Sequence, residues 1–186
     1  IYFVDDGSTD GTADALRAIS GLDPRVTILT LSRNFGHQAA LTAGLDASRG
    51  DFVISLDGDG QHPPEMIAQM IELFEQGYDI IQAQRMEADQ SFSFKKATSA
   101  GFYALINRIS GTRISPGAAD FRGMSRQAVE ALKSMPEYHR FLRGMVSAMG
   151  YKSVILPYHE TKRVAGRTKY SLGKMFRLAM DAIFSF

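Results

Sequence analysis

The chain has no cysteine among its 186 residues. That absence excludes disulfides, a thiolate metal site and a cysteine nucleophile, and it fits a reducing compartment. No uninterrupted apolar run reaches the roughly 20 residues that a membrane-spanning helix takes. No basic leader with an apolar core opens the chain, which begins inside the strand-like "IYFV". So abrupt a start implies a piece of a longer protein. Internal repeats and low-complexity tracts are also lacking. Hydrophobic residues make up 45% and charged residues 22%, the balance of a folded globular domain. The length allows one domain with a proper core.

Net charge is almost absent too, at +1, but the two halves differ sharply. Residues 1–90 carry 15 acidic and 5 basic side chains; residues 91–186 carry 5 and 16. Halves of −10 and +11 suit a site where metal-binding carboxylates meet anion-binding cations.

The first ninety residues alternate between strand and helix patterns. "YFVD", "VTILTL", "DFVISL" and "YDIIQAQ" read as buried strands. Between them, "TADALRAIS" closed by Gly21, "HQAALTAGLDAS" and "PEMIAQMIELFEQ" read as helices, the last with Pro64 in its first turn and Gly77 beyond its end. Strands joined by helices of this length predict βαβ units and a mainly parallel sheet. Ligands bind such sheets at the carboxyl ends of the strands. There the sequence puts Asp5 and Asp6, then Arg33 and Asn34, then Asp57 and Asp59, then Arg85. Four consecutive polar strand ends predict one rim and one site.

The second half is less regular. A helix is expected over "KKATSAGFYALINRIS", an edge strand or loop at "AADFRGM", and a helix "RQAVEALKSM" capped by Ser125. "YHRFLRGMVSAMG" reads as a helix, "YKSVILPY" as a last strand and "TKRVAGRTKYSLGK" as a mobile loop. In "MFRLAMDAIFSF" the polar Arg177, Asp181 and Ser185 lie four apart on one helical stripe, the rest being nearly all apolar. With seven basic residues from Lys152 onward, that end predicts a juxtamembrane amphipathic helix or the start of a spanning one. The expected division is a globular domain over 1–170 and this membrane segment over 171–186.

The densest acidic stretch is "ISLDGDGQHPPEM". An EF-hand needs glycine sixth and a bidentate glutamate twelfth. "DGDGQH" has His62 and Ala68 there, and "DGSTDG" from Asp6 has Arg17 in twelfth place, so neither fits. An aspartyl-phosphate hydrolase also sets Asp-x-Asp after a strand, but its pattern continues with threonine where this chain has Gln61. Capping the helix after Pro63-Pro64 accounts for one aspartate, hardly for both plus the glutamine. A divalent cation clamped between Asp57, Asp59 and a diphosphate fits best, with Gln61 adding a neutral oxygen. Mg²⁺ or Mn²⁺ takes few protein ligands and completes its shell with phosphate oxygens and water.

"VDDGSTDGT", "RNFGHQAALTAGLDASRGDFVISLDGDGQHPPE" and "ADFRGMSRQAV", in this order, resemble the family 2 glycosyltransferases of GT-A fold. Within them the chain is most similar to the polyprenyl-phosphate branch, over essentially its whole length. The resemblance implies a Rossmann-like α/β domain here lacking its first strand, with spanning helices beyond the last residue. It implies inverting transfer of a sugar from a nucleotide diphosphate, UDP being favoured, to a polyprenyl phosphate at the cytoplasmic membrane face. By motif, Asp5, Asp6 and Ser8 would line the nucleotide pocket with Arg33 beside the base. Asp57 would approach ribose and metal, with Asp59 and Gln61 as metal ligands. Arg85, Lys95, Lys96 and Ser99 would hold the acceptor phosphate; Arg163, Arg167 and Lys169 would lie on a loop closing over the donor. Asp120 stands where a base has been proposed for the family. A phosphate monoester, however, has its second pKa near ~6 and hardly needs one, so orienting the acceptor or stabilising charge at the anomeric carbon is the expected role. Gly58 and Gly60 replace the family's commoner alanine and leucine. Transfer to a polysaccharide, or a non-catalytic nucleotide-sugar module, are the alternatives; nucleic acid binding is not expected, and self-association stays open.

Overall fold

A computed structural model describes residues 1–86, 118–137 and 140–159. The chain divides into two compact units, residues 1–50 and 51–186. The first holds β1 (Tyr2–Asp5), α1 (Thr12–Leu22), β2 (Thr27–Thr30) and α2 (His37–Ala47). β1 and β2 pair in parallel, Tyr2 opposite Thr27 and Asp5 opposite Thr30. Both strands are short and rich in β-branched or aromatic side chains, which suit a pleated surface. The expected βαβ unit is present, with α1 running through Gly21 to Leu22.

The second unit holds β3 (Phe52–Ser55), α3 (Met66–Glu75), β4 (Ile80–Arg85), β5 (Ala118–Ser125), α4 (Arg126–Ser134), α5 (Leu142–Ala148) and β6 (Ser153–Tyr158). Its strands lie in the order β3-β5-β4-β6. β5 runs antiparallel to both β3 and β4, while β4 and β6 are parallel. This sheet is therefore mixed, not mainly parallel, and "AADFRGM" is a central strand rather than an edge or loop. Charged residues at alternate positions look solvent-facing in sequence. Here Asp120 and Arg122 neutralise each other inside the protein, at 3% and 2% exposure, which is how a central strand tolerates them.

Side chains alternate across β5. Phe121 faces a core made with Met66 and Met70 of α3, Ile81 and Ala83 of β4, and Tyr158 of β6. Burying each large apolar side chain there contributes about 1.5–3 kcal/mol. On the same face Gly123 leaves room for the ring of Phe52, which stacks on Phe74 at 4.6 Å; a Cβ at 123 would stand 2.2 Å from the ring's tip. As the sequence predicts, Ser125 caps α4, its Oγ accepting from Ala128 N–H at 3.2 Å. Its hydroxyl donates to Asp79 at 2.9 Å.

Candidate functional site

In the first unit the segments after β1 and β2 are tied together by the Asp6 carboxylate. Asp5 is buried, one oxygen accepting from Ser8 N–H at 3.0 Å. Its other oxygen is buried with no hydrogen-bond partner among the described residues. Asp6 accepts from the N–H groups of Phe35 at 2.7 Å and Gly36 at 2.9 Å, so it shapes the loop after β2. Asn34 donates to the Asp6 carbonyl at 3.3 Å. The Arg33 guanidinium lies 4.8 Å over the Phe35 ring, a cation–π arrangement. Asp5, Asp6, Ser8 and Arg33 are thus brought together on one pair of strand ends.

In the second unit, β3 leads into the turn bearing Asp57, Asp59 and Gln61. Asp59 Oδ1 accepts from Gln61 N–H at 3.1 Å, an Asx turn. Gly60 has φ 75°, a left-handed conformation natural to glycine and costly for a leucine. The glycine is therefore what this turn geometry requires. The turn is closed by His62, whose Nδ1 accepts from Asp57 N–H at 3.1 Å. That bond makes Nε2 the protonated nitrogen of the neutral ring; it lies 3.9 Å from Asp57 Oδ2. The imidazole is buried, stacked on Phe121 at 5.0 Å and edge-on to Tyr158 at 5.9 Å. His62 thus anchors the acidic turn to β5 and β6. The Asp57 side chain is 39% exposed.

On the opposite face of β5, Asp120 lies between two arginines. Arg122 donates to Oδ1 at 3.0 Å. Arg143, from α5, donates through Nε to Oδ1 at 3.0 Å and through a terminal nitrogen to Oδ2 at 2.9 Å. The Asp120 carbonyl accepts from Ser55 Oγ at 2.7 Å, tying the cluster to the end of β3. Burial pushes the Arg122 guanidinium below its ordinary pKa; Asp120 opposes that shift and Arg143 adds to it by like-charge repulsion. With both oxygens already accepting from guanidinium groups, Asp120 is poorly placed to take a proton.

Arg85 ends β4 and is exposed. Lys95, Lys96, Ser99, Arg163, Arg167, Lys169 and the helix expected over 171–186 lie outside the described residues. Among the described residues no helix is long and apolar enough to cross a membrane, and no three His, Asp or Glu side chains gather as a closed metal cage. Sequence reasoning missed His62, Arg122 and Arg143. For Arg122 a signal existed, since Asp-x-Arg puts both charges on one face of a strand. For Arg143, which reaches Asp120 from 23 residues away, no local signal existed.

The model of glycosyl transferase family 2 matches residues 1–133. The uncharacterized glycosyltransferase YkcC of Bacillus subtilis is 42% identical over 186 residues, covering all of this chain and 58% of that protein. The prophage bactoprenol glucosyl transferase homolog of Escherichia coli is 41% identical, again over the whole chain and 61% of its own length. The chain thus spans roughly three fifths of these relatives. Among solved structures, glucosyl-3-phosphoglycerate synthase from Mycobacterium tuberculosis, in complex with Mn²⁺, UDP-glucose and phosphoglyceric acid, superposes with a TM-score of 0.62. It is 19% identical, with 99% of this chain and 67% of that one covered, and the likeness is one of fold: α/β, of the GT-A type.

Proposed function

The chain belongs to glycosyl transferase family 2, and from that premise we propose that it is the catalytic portion of an enzyme moving glucose from UDP-glucose to a polyprenyl phosphate. The observation that carries this reading is the similarity, at 41% identity over all of this chain and 61% of the relative, to a protein named a bactoprenol glucosyl transferase homolog. The acidic turn at the end of β3 supports it.

In the proposed reaction an acceptor phosphate oxygen attacks the anomeric carbon. The bond from that carbon to the diphosphate breaks, and the nucleotide diphosphate leaves with the electron pair, inverting the configuration. Asp57, Asp59 and Gln61 form an all-oxygen donor set that fits Mg²⁺ or Mn²⁺. When bound, the ion would supply positive charge to the leaving diphosphate. Asp5, with one buried oxygen lacking a partner, together with Asp6, Ser8 and Arg33, is assigned to the nucleotide. Arg85, Lys95, Lys96 and Ser99 are assigned to the acceptor phosphate, and Arg163, Arg167 and Lys169 to the donor. Asp120 is assigned no proton transfer, since the acceptor oxygen is mostly deprotonated at neutral pH. The lipid acceptor implies work at the cytoplasmic face of the membrane, with residues 171–186 beside it.

The test supplies the full-length protein with radiolabelled UDP-glucose, UDP-GlcNAc or GDP-mannose, undecaprenyl phosphate and Mg²⁺ or Mn²⁺. Label should enter the lipid phase from UDP-glucose; no transfer from any donor would refute the reading. Asp59→Ala should abolish metal-dependent turnover, and activity surviving within tenfold would remove Asp59 from the metal site.

A further inference from the structure

Three aromatic rings meet beside the acidic turn, and one of them is an imidazole. His62 is buried, stacked on Phe121 and edge-on to Tyr158, and those two rings meet edge-on at 5.8 Å. For that packing a phenyl ring would serve as well, without the cost of burying polar nitrogens. What the imidazole adds is an acceptor in the plane of the ring. Nδ1 takes the Asp57 N–H at 3.1 Å, and Nε2 lies 3.9 Å from Asp57 Oδ2. The ring therefore spans Asp57 from backbone to carboxylate. Its own place is settled from two sides. Phe121 and Tyr158 belong to the core shared with α3 and β4. Pro63 restricts the His62 backbone to the extended region, and the Pro63 carbonyl accepts from Met66 N–H at 3.2 Å at the start of α3. Whatever else Asp57 bonds to, the place of its backbone N–H, and with it the direction of its side chain, is set against a ring that the core holds.

We propose that His62 is a positioning residue for divalent-metal binding at this turn, holding Asp57 through the bond from Asp57 N–H to Nδ1 so that it takes the ion together with Asp59 and Gln61. This rests on the reading of the turn as a metal–diphosphate site. Hydrogen-bond partners standing behind metal ligands contribute ~10–100-fold in metal affinity. His62 acts on one ligand, while Asp59 and Gln61 are joined by their own bond, so the lower end of that range is expected.

The two duties of the ring separate by substitution. His62→Phe keeps the stacking and removes the acceptor, whereas His62→Asn keeps an acceptor near the place of Nδ1 and removes the ring. Mn²⁺ is titrated into the full-length wild-type protein and both variants, with and without UDP. Water-proton relaxation reports the protein-bound ion, and thermal midpoints are measured without metal. His62→Phe should weaken Mn²⁺ binding ~10-fold while its midpoint falls by only a few degrees. His62→Asn should lose more of its midpoint yet bind Mn²⁺ more tightly than His62→Phe does. A merely structural role would rank the affinities as it ranks the midpoints, and that ranking overturns the proposal. Mn²⁺ binding kept in full by His62→Phe overturns the positioning role alone. No Mn²⁺ binding by the wild type overturns it together with the metal reading of the turn. If His62→Asn does not fold, His62→Phe still decides, because its packing is retained.

Discussion

In the first unit one oxygen of Asp5 and both oxygens of Asp6 accept from backbone N–H groups, those of Ser8, Phe35 and Gly36. In the second, Asp120 directs both of its oxygens at guanidinium groups. The acids are chemically the same, but their partners make them do different work. A carboxylate bonded to backbone shapes a loop, and water can replace it where the loop is half-exposed. A carboxylate bonded to a buried arginine compensates a charge that water cannot reach. The first kind should fail locally and the second globally.

The sharpest break in that comparison is Asp120→Ala. It takes a carboxylate away from the buried Arg122, and removing one partner of a buried pair costs about 3–5 kcal/mol. Urea unfolding measures it; a loss under about 1 kcal/mol would mean that Arg122 reaches solvent or another acid. Replacing Asp120 and Arg122 together by leucine and methionine should return most of the loss, because well-packed apolar residues often substitute for an ion pair at little net cost. Next comes Gly123→Ala on the other face of the same strand. The new methyl meets the Phe52 ring, itself held against Phe74, so overpacking should cost about 1–3 kcal/mol. Phe52→Leu in the same chain should recover part of it. Asp6→Ala tests the first unit. Its two freed N–H groups lie on an exposed or half-exposed loop, so global stability should fall by only about 1 kcal/mol. Amide exchange at Phe35 and Gly36 should rise well above that at β4; a uniform rise across the chain would erase the contrast.

The same contrast explains what could be read from the sequence. The βαβ unit of residues 1–50 is local: alternating strand and helix patterns, closed by pairing between neighbours in sequence. The elements β3, α3, β4 and β6 are legible from their own apolar patterns, although the strands among them pair with partners far along the chain. β5 was not, because its place between β3 and β4 depends on pairings such as Ser55 with Arg122, far apart in the chain. Its two charges, at alternate positions, pair with each other inside the protein. The place of Asp57, Asp59 and Gln61 just after β3 is legible from the apolar run that precedes them. The burial of His62 against Phe121 and Tyr158, and the reach of Arg143 to Asp120, depend on tertiary packing that no spacing encodes.

The smallest effect belongs to Glu130 on α4, an acid whose partners are again cations but at the surface. Arg126 and Lys133 lie one helical turn to either side, at 3.1 and 3.2 Å. Hydrogen bonds from Lys133, then Arg126, hold the Glu130 carboxyl below its ordinary pKa. A depressed folded-state pKa contributes stability above the unfolded value and loses it as pH falls through the folded one. The contribution is thus complete at neutral pH and gone in strong acid. Exposed pairs of this kind are screened and weak. Glu130→Gln should therefore shift the thermal midpoint less than any variant above, and 0.5 M salt should shrink the shift further. If Glu130→Gln rivalled Asp120→Ala, partner charge rather than burial would be what separates the two kinds of carboxylate.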